Sequence, residues 1–565
     1  MSTTNILISR RSLLACSAAA LLAACSAAPR LAAVSAVPVE VQILGINDFH
    51  GNLETPPGTV AYAQVGGAKA SEALGGAAPL AASLQQLRAG HPSVTVAAGD
   101  LIGASPLTSA YFLDEPSIRA LSMAGLELAS VGNHEFDKGA NELLRMQRGG
   151  CAKYTTRVPC RLEPFTGAGF TYLSANVFTG DGKTLFPATA VKQVGPMRIG
   201  FIGMTLRDTQ TLVTPAGVAG LRFADEAASA NALVPQLKAA GADLIVLLIH
   251  QGGRVSETYR LGDCDGLSGD LLPILDKLDP AVAVVVSGHT HNAYACHVNQ
   301  GGVDRLLTSA GKNGYFITDI RVSYDPGARR LLAARAENLP VKGNAADPQV
   351  AALVQRYATA AKPAAMRPVG KLNGPALKDE HDGESTAARL IADAQLGATR
   401  AADRGAAQLS FINATGVRTD LKPAADGTVT FGDIFALQPF GNNLVVKTLT
   451  GAQLKRLLEQ QFGDERGVGR LKSLLVPSAG FAFGYDLTRP AGDRITSIKL
   501  NGRPIDPAAR YRVTVNNFLA SGGDAFSVFN EGTDAFDAGL DLDALEAWLG
   551  TDPAVPTDRR TAAAK

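Results

Sequence analysis

The chain has little of several residue types, and each scarcity narrows what it can be. Of its 565 residues one is tryptophan, six are methionine and six are cysteine, and aromatic residues make up only 6%. A surplus of one charge is missing as well: 53 Lys and Arg face 52 Asp and Glu, a formal net charge of +1. So even a balance excludes a dominant nucleic-acid or polybasic membrane face, because both need a sustained positive field. No internal segment reaches the roughly 18 uninterrupted apolar residues of a spanning helix. Disorder of the whole chain is excluded by 46% hydrophobic against 19% charged residues. At roughly 150 residues per domain, the length implies more than one domain.

Residues 1–25 read as an address rather than as structure. An arginine pair, Arg10-Arg11, precedes an apolar run from Leu13 to Ala24 that is too short to span a bilayer. The run stops at Leu22-Ala23-Ala24-Cys25, which resembles the lipobox of bacterial lipoproteins. The arginine pair is similar to a twin-arginine export signal. The expectation is an exported, periplasmic or cell-envelope protein, tied to the membrane only through a lipid on Cys25. An ordinary signal peptide cut at a nearby small residue is the alternative. Cys16 leaves with the signal, so Cys151, Cys160, Cys264 and Cys296 remain, an even set for an oxidising compartment. Shorter loops close at lower entropy cost, which favours Cys151–Cys160 and Cys264–Cys296. A zinc site is the competing use, but no close C-x-x-C pair is present.

From about Val39 to residue 345 short apolar runs alternate with helical stretches, the rhythm of an α/β domain. Five runs read as strands: Val39 to Leu44, Ser93 to Ala97, Leu126 to Val131, Asp243 to Ile249, and Ala281 to Val286. Residues 346–368 read as a linker helix, 369–550 as a second mixed domain, and the polar stretch 551–565 as a frayed tail.

Only eight histidines are present, and five of them sit just past these strands. His50 follows the first in Asn47-Asp48-Phe49-His50. Gly99-Asp100 follows the second and Gly132-Asn133-His134-Glu135-Phe136-Asp137 the third. His250 closes the fourth, and Gly288-His289-Thr290-His291 follows the fifth. In α/β sheets, sites form outside the carboxyl ends of strands, so these groups should gather along one edge of one sheet. Imidazole, carboxylate and amide donors without thiolate suit Zn, Mn, Co or Fe. A carboxylate between two ligand sets can bridge ions about 3.5–4 Å apart. Any one strand-end histidine is more often a hydrogen-bonded loop residue; five motifs in order reverse that expectation. His91, His297 and His381 have no motif and read as surface or loop residues.

Taken together, the motifs resemble the calcineurin-like metallophosphoesterase signature, and the second domain narrows the resemblance to the 5′-nucleotidase family, over nearly all of Val39 to Gly550. The resemblance implies a four-layer α/β/β/α sandwich and a second α/β substrate-binding domain, joined by the linker helix. It implies two divalent ions. One would be held by Asp48, His50, Asp100 and His291; the other by Asp100, Asn133, His250 and His289. His134 is similar to the family's catalytic histidine and Asp137 to the residue that orients it, while Glu135 reads as a structural support.

In the second domain, Phe411 to Arg418, Gln438-Pro439-Phe440-Gly441-Asn442 and Asn516 to Asp524 resemble the family's substrate segments. The resemblance implies Phe440 and Phe518 on either face of a base, Asp524 on ribose hydroxyls, Asn413 on the base edge and Arg418 on sugar or phosphate. Aromatic stacking suits any base, so base selectivity would be loose. The turn residues Pro439, Gly441, Gly522 and Gly523 favour loops over core packing for the two phenylalanines. Two departures stand out. Ala414-Thr415 replaces two glycines, and Lys378 to Glu384 lacks an arginine that the family often has there; Arg389 is not a substitute on proximity alone. The implied function is an exported 5′-nucleotidase acting on a nucleotide, with no nucleic-acid polymer as partner. Nucleotide-sugar or 2′,3′-cyclic-nucleotide hydrolysis, the sulfate-thiol hydrolases, and a non-catalytic surface lipoprotein are the alternatives.

Overall fold

The computed structural model of the protein describes residues 37–564 apart from 156, 215, 379–383, 466–467 and 472. The expected export signal with Arg10, Arg11, Cys16 and Cys25, and likewise His381, lie outside the described residues.

The first domain is built on two six-stranded sheets. One runs Arg330–Pro340, Phe316–Asp325, Val39–Ile46, Ser93–Ala98, Leu128–Ser130, Thr171–Leu173; the other runs Ala293–Gln300, Val303–Ala310, Val282–Ser287, Leu244–His250, Met197–Thr205, Thr189–Val194. Side chains alternate across each strand, which gives every central strand two apolar faces to bury. Val41, Ile43, Val94 and Val96 meet Phe201, Val246, Leu248 and Val284 between the sheets. On the outer face of the first sheet, Leu44, Ile46 and Ala129 pack under the helices Ala77–Arg88, Glu115–Met123 and Pro348–Ala365. On the outer face of the second, Ile202, Ile245 and Leu247 pack under Glu226–Ala239 through Ala230, Val234 and Leu237. The result is the four-layer α/β/β/α sandwich.

The expectation of a single sheet is corrected: the first three strand motifs lie on one sheet and the last two on the other. The linker helix forms, capped by Asp347, whose side chain accepts from the Gln349 and Val350 amides. It is not a free connector. Val350, Leu353 and Tyr357 bury it in the outer layer of the first domain. Both expected disulfides are present, Cys151–Cys160 and Cys264–Cys296.

The second domain holds a five-stranded sheet, Leu475–Pro477, Leu409–Asn413, Arg510–Asn516, Asn443–Thr450 and Thr533–Leu540, beside a four-stranded one. Its core reaches into the first domain through Leu107 and Ala110. The tail departs from the expectation. Thr561–Ala563 adds a parallel strand to Phe481–Tyr485, because Arg560, only 3% exposed, pairs with Asp393. Among the described residues no helix is long and apolar enough to cross a membrane.

Candidate functional site

Parallel pairing aligns the carboxyl ends of Val39–Ile46, Ser93–Ala98 and Leu128–Ser130 in one sheet, and of Leu244–His250 and Val282–Ser287 in the other. The loops leaving these ends, with His250 itself, bring all seven expected ligands together. Asp48, His50 and His291 form one group and Asp100, His250 and His289 a second, with the ligand atoms of each within 4.8 Å of one another. His50 Nε2 lies 3.0 Å from His291 Nε2, close enough for both nitrogens to face one cation. Asn133 Oδ1 is 3.1 Å from both His250 Nε2 and His289 Nδ1. Asp100 Oδ2 faces both groups, 3.0 Å from His250 Nε2 and 3.8 Å from His50 Nε2, which is the bridging position.

Holding so many polar groups in one spot strains the backbone. Asp48, His50, Asp100, His289 and His291 all adopt left-handed φ, between 46° and 71°, a conformation that L-residues keep only where the surroundings fix it. Two glycines permit the close approach. A Cβ on Gly99 would stand 2.7 Å from His250 Nδ1, and one on Gly132 would stand 2.1 Å from Asp100 Oδ1. Backbone acceptors set the tautomers: His50 Nδ1 lies 3.0 Å from Gly103 O and His250 Nδ1 lies 2.8 Å from Ala98 O. Both rings then turn Nε2 toward the cluster, as metal-ligating histidines do.

The electrostatics are those of a buried anionic nest. Burial resists ionisation of Asp48 and Asp100, yet the surrounding histidines hold both carboxyls below their ordinary range. Burial also acts on the imidazoles, pushing His289 down to about 3 and lowering His50 and His291. At His250 burial is outweighed by Asp100 and Asp48, which lift it to about 10. Two buried carboxylates among four imidazoles, three of them held neutral by burial and the fourth charged beside Asp100, fit divalent cations, the donor set of borderline metals.

His134 leaves the same loop as Asn133 in a short 3₁₀ turn, His134–Phe136. Its Nδ1 lies 2.8 Å from Asp137 Oδ2, which fixes the tautomer and leaves Nε2 for a substrate. Burial lowers the His134 pKa, but Asp137 and Asp100 more than restore it. Glu135 is the expected support: its carboxylate accepts from the Asp100, Leu101 and Gly132 amides at 2.9, 2.8 and 2.6 Å, tying together the two loops that carry Asp100 and Asn133.

One cavity of about 410 Å³ joins this centre to the second domain; its lining includes Asp100, Asn133, His134, Asp137, His289 and His291 on one side and Asn413, Arg418, Phe440, Phe518 and Asp524 on the other. Arg418 and Phe440 meet, with the guanidinium carbon 5.6 Å from the ring centroid. A Cβ on Gly523 would stand 2.5 Å from the Phe518 ring, so the glycine lets the turn that carries Asp524 close onto that ring. Asn413 does not offer itself to a base edge. It is 2% exposed, and its amide nitrogen donates to Thr415 Oγ1 at 2.6 Å and Asp524 Oδ2 at 2.7 Å. Its oxygen lies 3.4 Å from the Asn516 amide nitrogen. Asn442, Asn517 and Arg254 also line the cavity, and sequence reasoning misses all three. Asn442 and Asn517 each sit inside a substrate segment, next to turn residues that hide their direction; Arg254 carries no motif. Arg389 is a structural residue, buried and paired with Glu384 at 3.0 Å.

The calcineurin-like phosphoesterase family model matches residues 41–293 and the 5′-nucleotidase C-terminal domain model matches residues 359–531. The solved structure of a 5′-nucleotidase precursor from Thermus thermophilus is 27% identical, with a TM-score of 0.73 over 93% of this chain and 99% of that one. An endonuclease of Bacillus subtilis is 28% identical over 86% of this chain and 37% of its own length. A cell wall protein of Listeria monocytogenes is 28% identical over 87% of this chain and 64% of its own length. The chain thus spans less than two thirds of either of these two relatives. It belongs to the 5′-nucleotidase family of metallophosphoesterases.

Proposed function

We propose that the chain is a dinuclear-metal 5′-nucleotidase that hydrolyses nucleotide phosphate esters to nucleoside and phosphate. The observation that carries this reading is one cavity that reaches both ligand groups, through His291 of the first and Asp100 and His289 of the second, together with the His134–Asp137 pair and the Arg418, Phe440, Phe518 and Asp524 wall. Asp48, His50, Asp100 and His291 would hold one ion, and Asp100, Asn133, His250 and His289 the other. When bound, such a pair supplies Lewis acidity and an activated water. The chain's own residues do the rest. Asp137 keeps the proton of His134 on Nδ1 or shares it, so that Nε2 meets the phosphoryl oxygens and the leaving group as charge develops there. Arg418 adds a fixed positive charge, and Phe440 and Phe518 bind the base, so that the two domains together position the ester bond.

The sulfate-thiol hydrolase reading is less well supported: the 2.8 Å His134–Asp137 contact and the two cavity phenylalanines favour a nucleotide. Export as a lipoprotein through Cys25 is part of the proposal, and the two disulfides support an oxidising compartment. The test is product analysis, reading free phosphate, sulfate, nucleoside and nucleotide, on the metal-stripped protein after resupply with Mn, Co, Zn or Fe. The panel holds AMP, ATP, UDP-glucose, 2′,3′-cyclic AMP, a thiosulfonate ester and, given the endonuclease relative, a single-stranded oligonucleotide. Metal-dependent release from AMP supports the nucleotidase; silence on every nucleotide with metals bound rejects it.

A further inference from the structure

Thr415 stands where it changes how the sugar is read. It lies in the 3₁₀ turn Ala414–Gly416, which is anchored by the Ala414 amide on Leu474 O at 3.0 Å and the Arg418 amide on Leu437 O at 3.0 Å. Threonine is stiff at χ1, so a fixed turn aims its hydroxyl in one direction. That direction is Asp524: Thr415 Oγ1 donates to Oδ2 at 2.6 Å. The Asn413 amide donates to the same oxygen at 2.7 Å and to Thr415 Oγ1 at 2.6 Å, closing a three-membered polar ring on the cavity wall. Among the described residues the other oxygen, Oδ1, takes no hydrogen bond.

A carboxylate reads a vicinal diol by accepting one hydroxyl on each oxygen. Asp524 follows the glycine that touches the Phe518 ring and lines the same cavity, where the sugar of a stacked nucleoside would come within reach, but one of its oxygens is already taken. Resting on the nucleotidase reading above, we infer that Thr415 is a specificity-determining residue: its hydroxyl stands in for one sugar hydroxyl at Asp524, so the site selects a single hydroxyl and accepts deoxynucleotides nearly as well as ribonucleotides. With glycine at this position the carboxylate would have a free acceptor, and the diol would be required.

The experiment compares kcat/KM for AMP, 2′-deoxy-AMP, 3′-deoxy-AMP and p-nitrophenyl phosphate. It uses the metal-replete full chain and the Thr415→Gly, Thr415→Val and Thr415→Ser variants. Valine keeps the bulk and removes the hydroxyl; serine keeps the hydroxyl. The expected result is a wild-type preference for AMP over the better deoxynucleotide below about tenfold, raised at least about threefold by Gly and by Val and left near wild type by Ser, the low end of the net worth of one hydrogen bond. A larger wild-type preference, or one that Gly and Val do not raise, overturns the inference while leaving the nucleotidase intact. Cleavage of the phenyl ester with no turnover of any nucleotide overturns both.

Discussion

The ring of Phe440, carried by the second domain, lies over the imidazole of His134 in the first, with centroids 6.0 Å apart and planes 13° from parallel. The residue expected to stack on the base therefore also covers the residue expected to act on the ester. A base held there and the phosphate beneath it would be positioned by the same wall of the cavity. Phe440→Ala and Phe518→Ala should each raise KM for AMP about tenfold or more, since stacking on one aromatic side chain contributes about 1–3 kcal/mol. For p-nitrophenyl phosphate the change should stay within about threefold. Equal losses on both substrates would contradict the stacking role.

The ligand groups and His134 share loops but not tasks, and metal content separates them. Asp48→Ala and His250→Ala each break a buried group and should lose bound metal, by elemental analysis, together with activity. His134→Ala should keep both ions and lower kcat by about 10²–10⁴-fold, the range of a lost proton-transfer group. Asp137→Asn should cost about 10–100-fold, as second-layer partners of a functional histidine do. Metal loss in His134→Ala would mean that its assignment is wrong.

The strand ends are legible in the sequence because each apolar run stops at a polar cluster, and a strand's carboxyl end is where such clusters collect. The same rhythm cannot tell one sheet from two. What separates the strand of His50 from that of His250 is pairing with partners far along the chain, such as Val39–Ile46 with Phe316–Asp325. The substrate wall is legible as segments and less so as roles. Asn413 is in the expected motif, but the Asp524 that takes its donor lies 111 residues away, and nothing in the motif says that the amide turns inward. The tail escapes sequence reasoning for the same reason: a polar stretch with a buried ion-pair partner looks identical to one without.

Asp541 begins the helix Asp541–Leu549 and is 1% exposed. Burial pushes its carboxyl up to about 7, against the opposing pull of the Leu542 amide and the Asn442 side chain. A carboxyl raised in the folded state contributes stability that is fully present below its unfolded pKa of roughly 3.9 and is lost as pH climbs toward 7. Over that window the contribution amounts to about 4 kcal/mol at most, at 1.36 kcal/mol per unit. Asp541→Asn should therefore melt at about the same temperature as wild type near pH 4 and above it at pH 8. Calorimetry at the two values decides: a difference that does not change with pH removes titration of Asp541 from the account.

Arg560 binds Asp393 with two parallel contacts, 2.8 Å and 2.9 Å, while Glu384 accepts from the Arg560 and Thr561 amides, each at 2.9 Å. Asp393 belongs to the helix Thr386–Thr399, whose apolar face includes Leu390, Ile391 and Ala394 in the second-domain core. Removing the guanidinium strands a nearly buried carboxylate, so Arg560→Ala should lower stability by about 3 kcal/mol, the low end for breaking a buried pair. Much of that cost is desolvation of the abandoned partner rather than lost attraction. Pairing Arg560→Met with Asp393→Asn should then recover part of it, and the double-mutant cycle measures how much. Deleting residues 557–565 should cost at least as much as Arg560→Ala, because it also removes the edge strand Thr561–Ala563. A deletion that unfolds in urea at the wild-type midpoint would show that these residues contribute nothing to the fold.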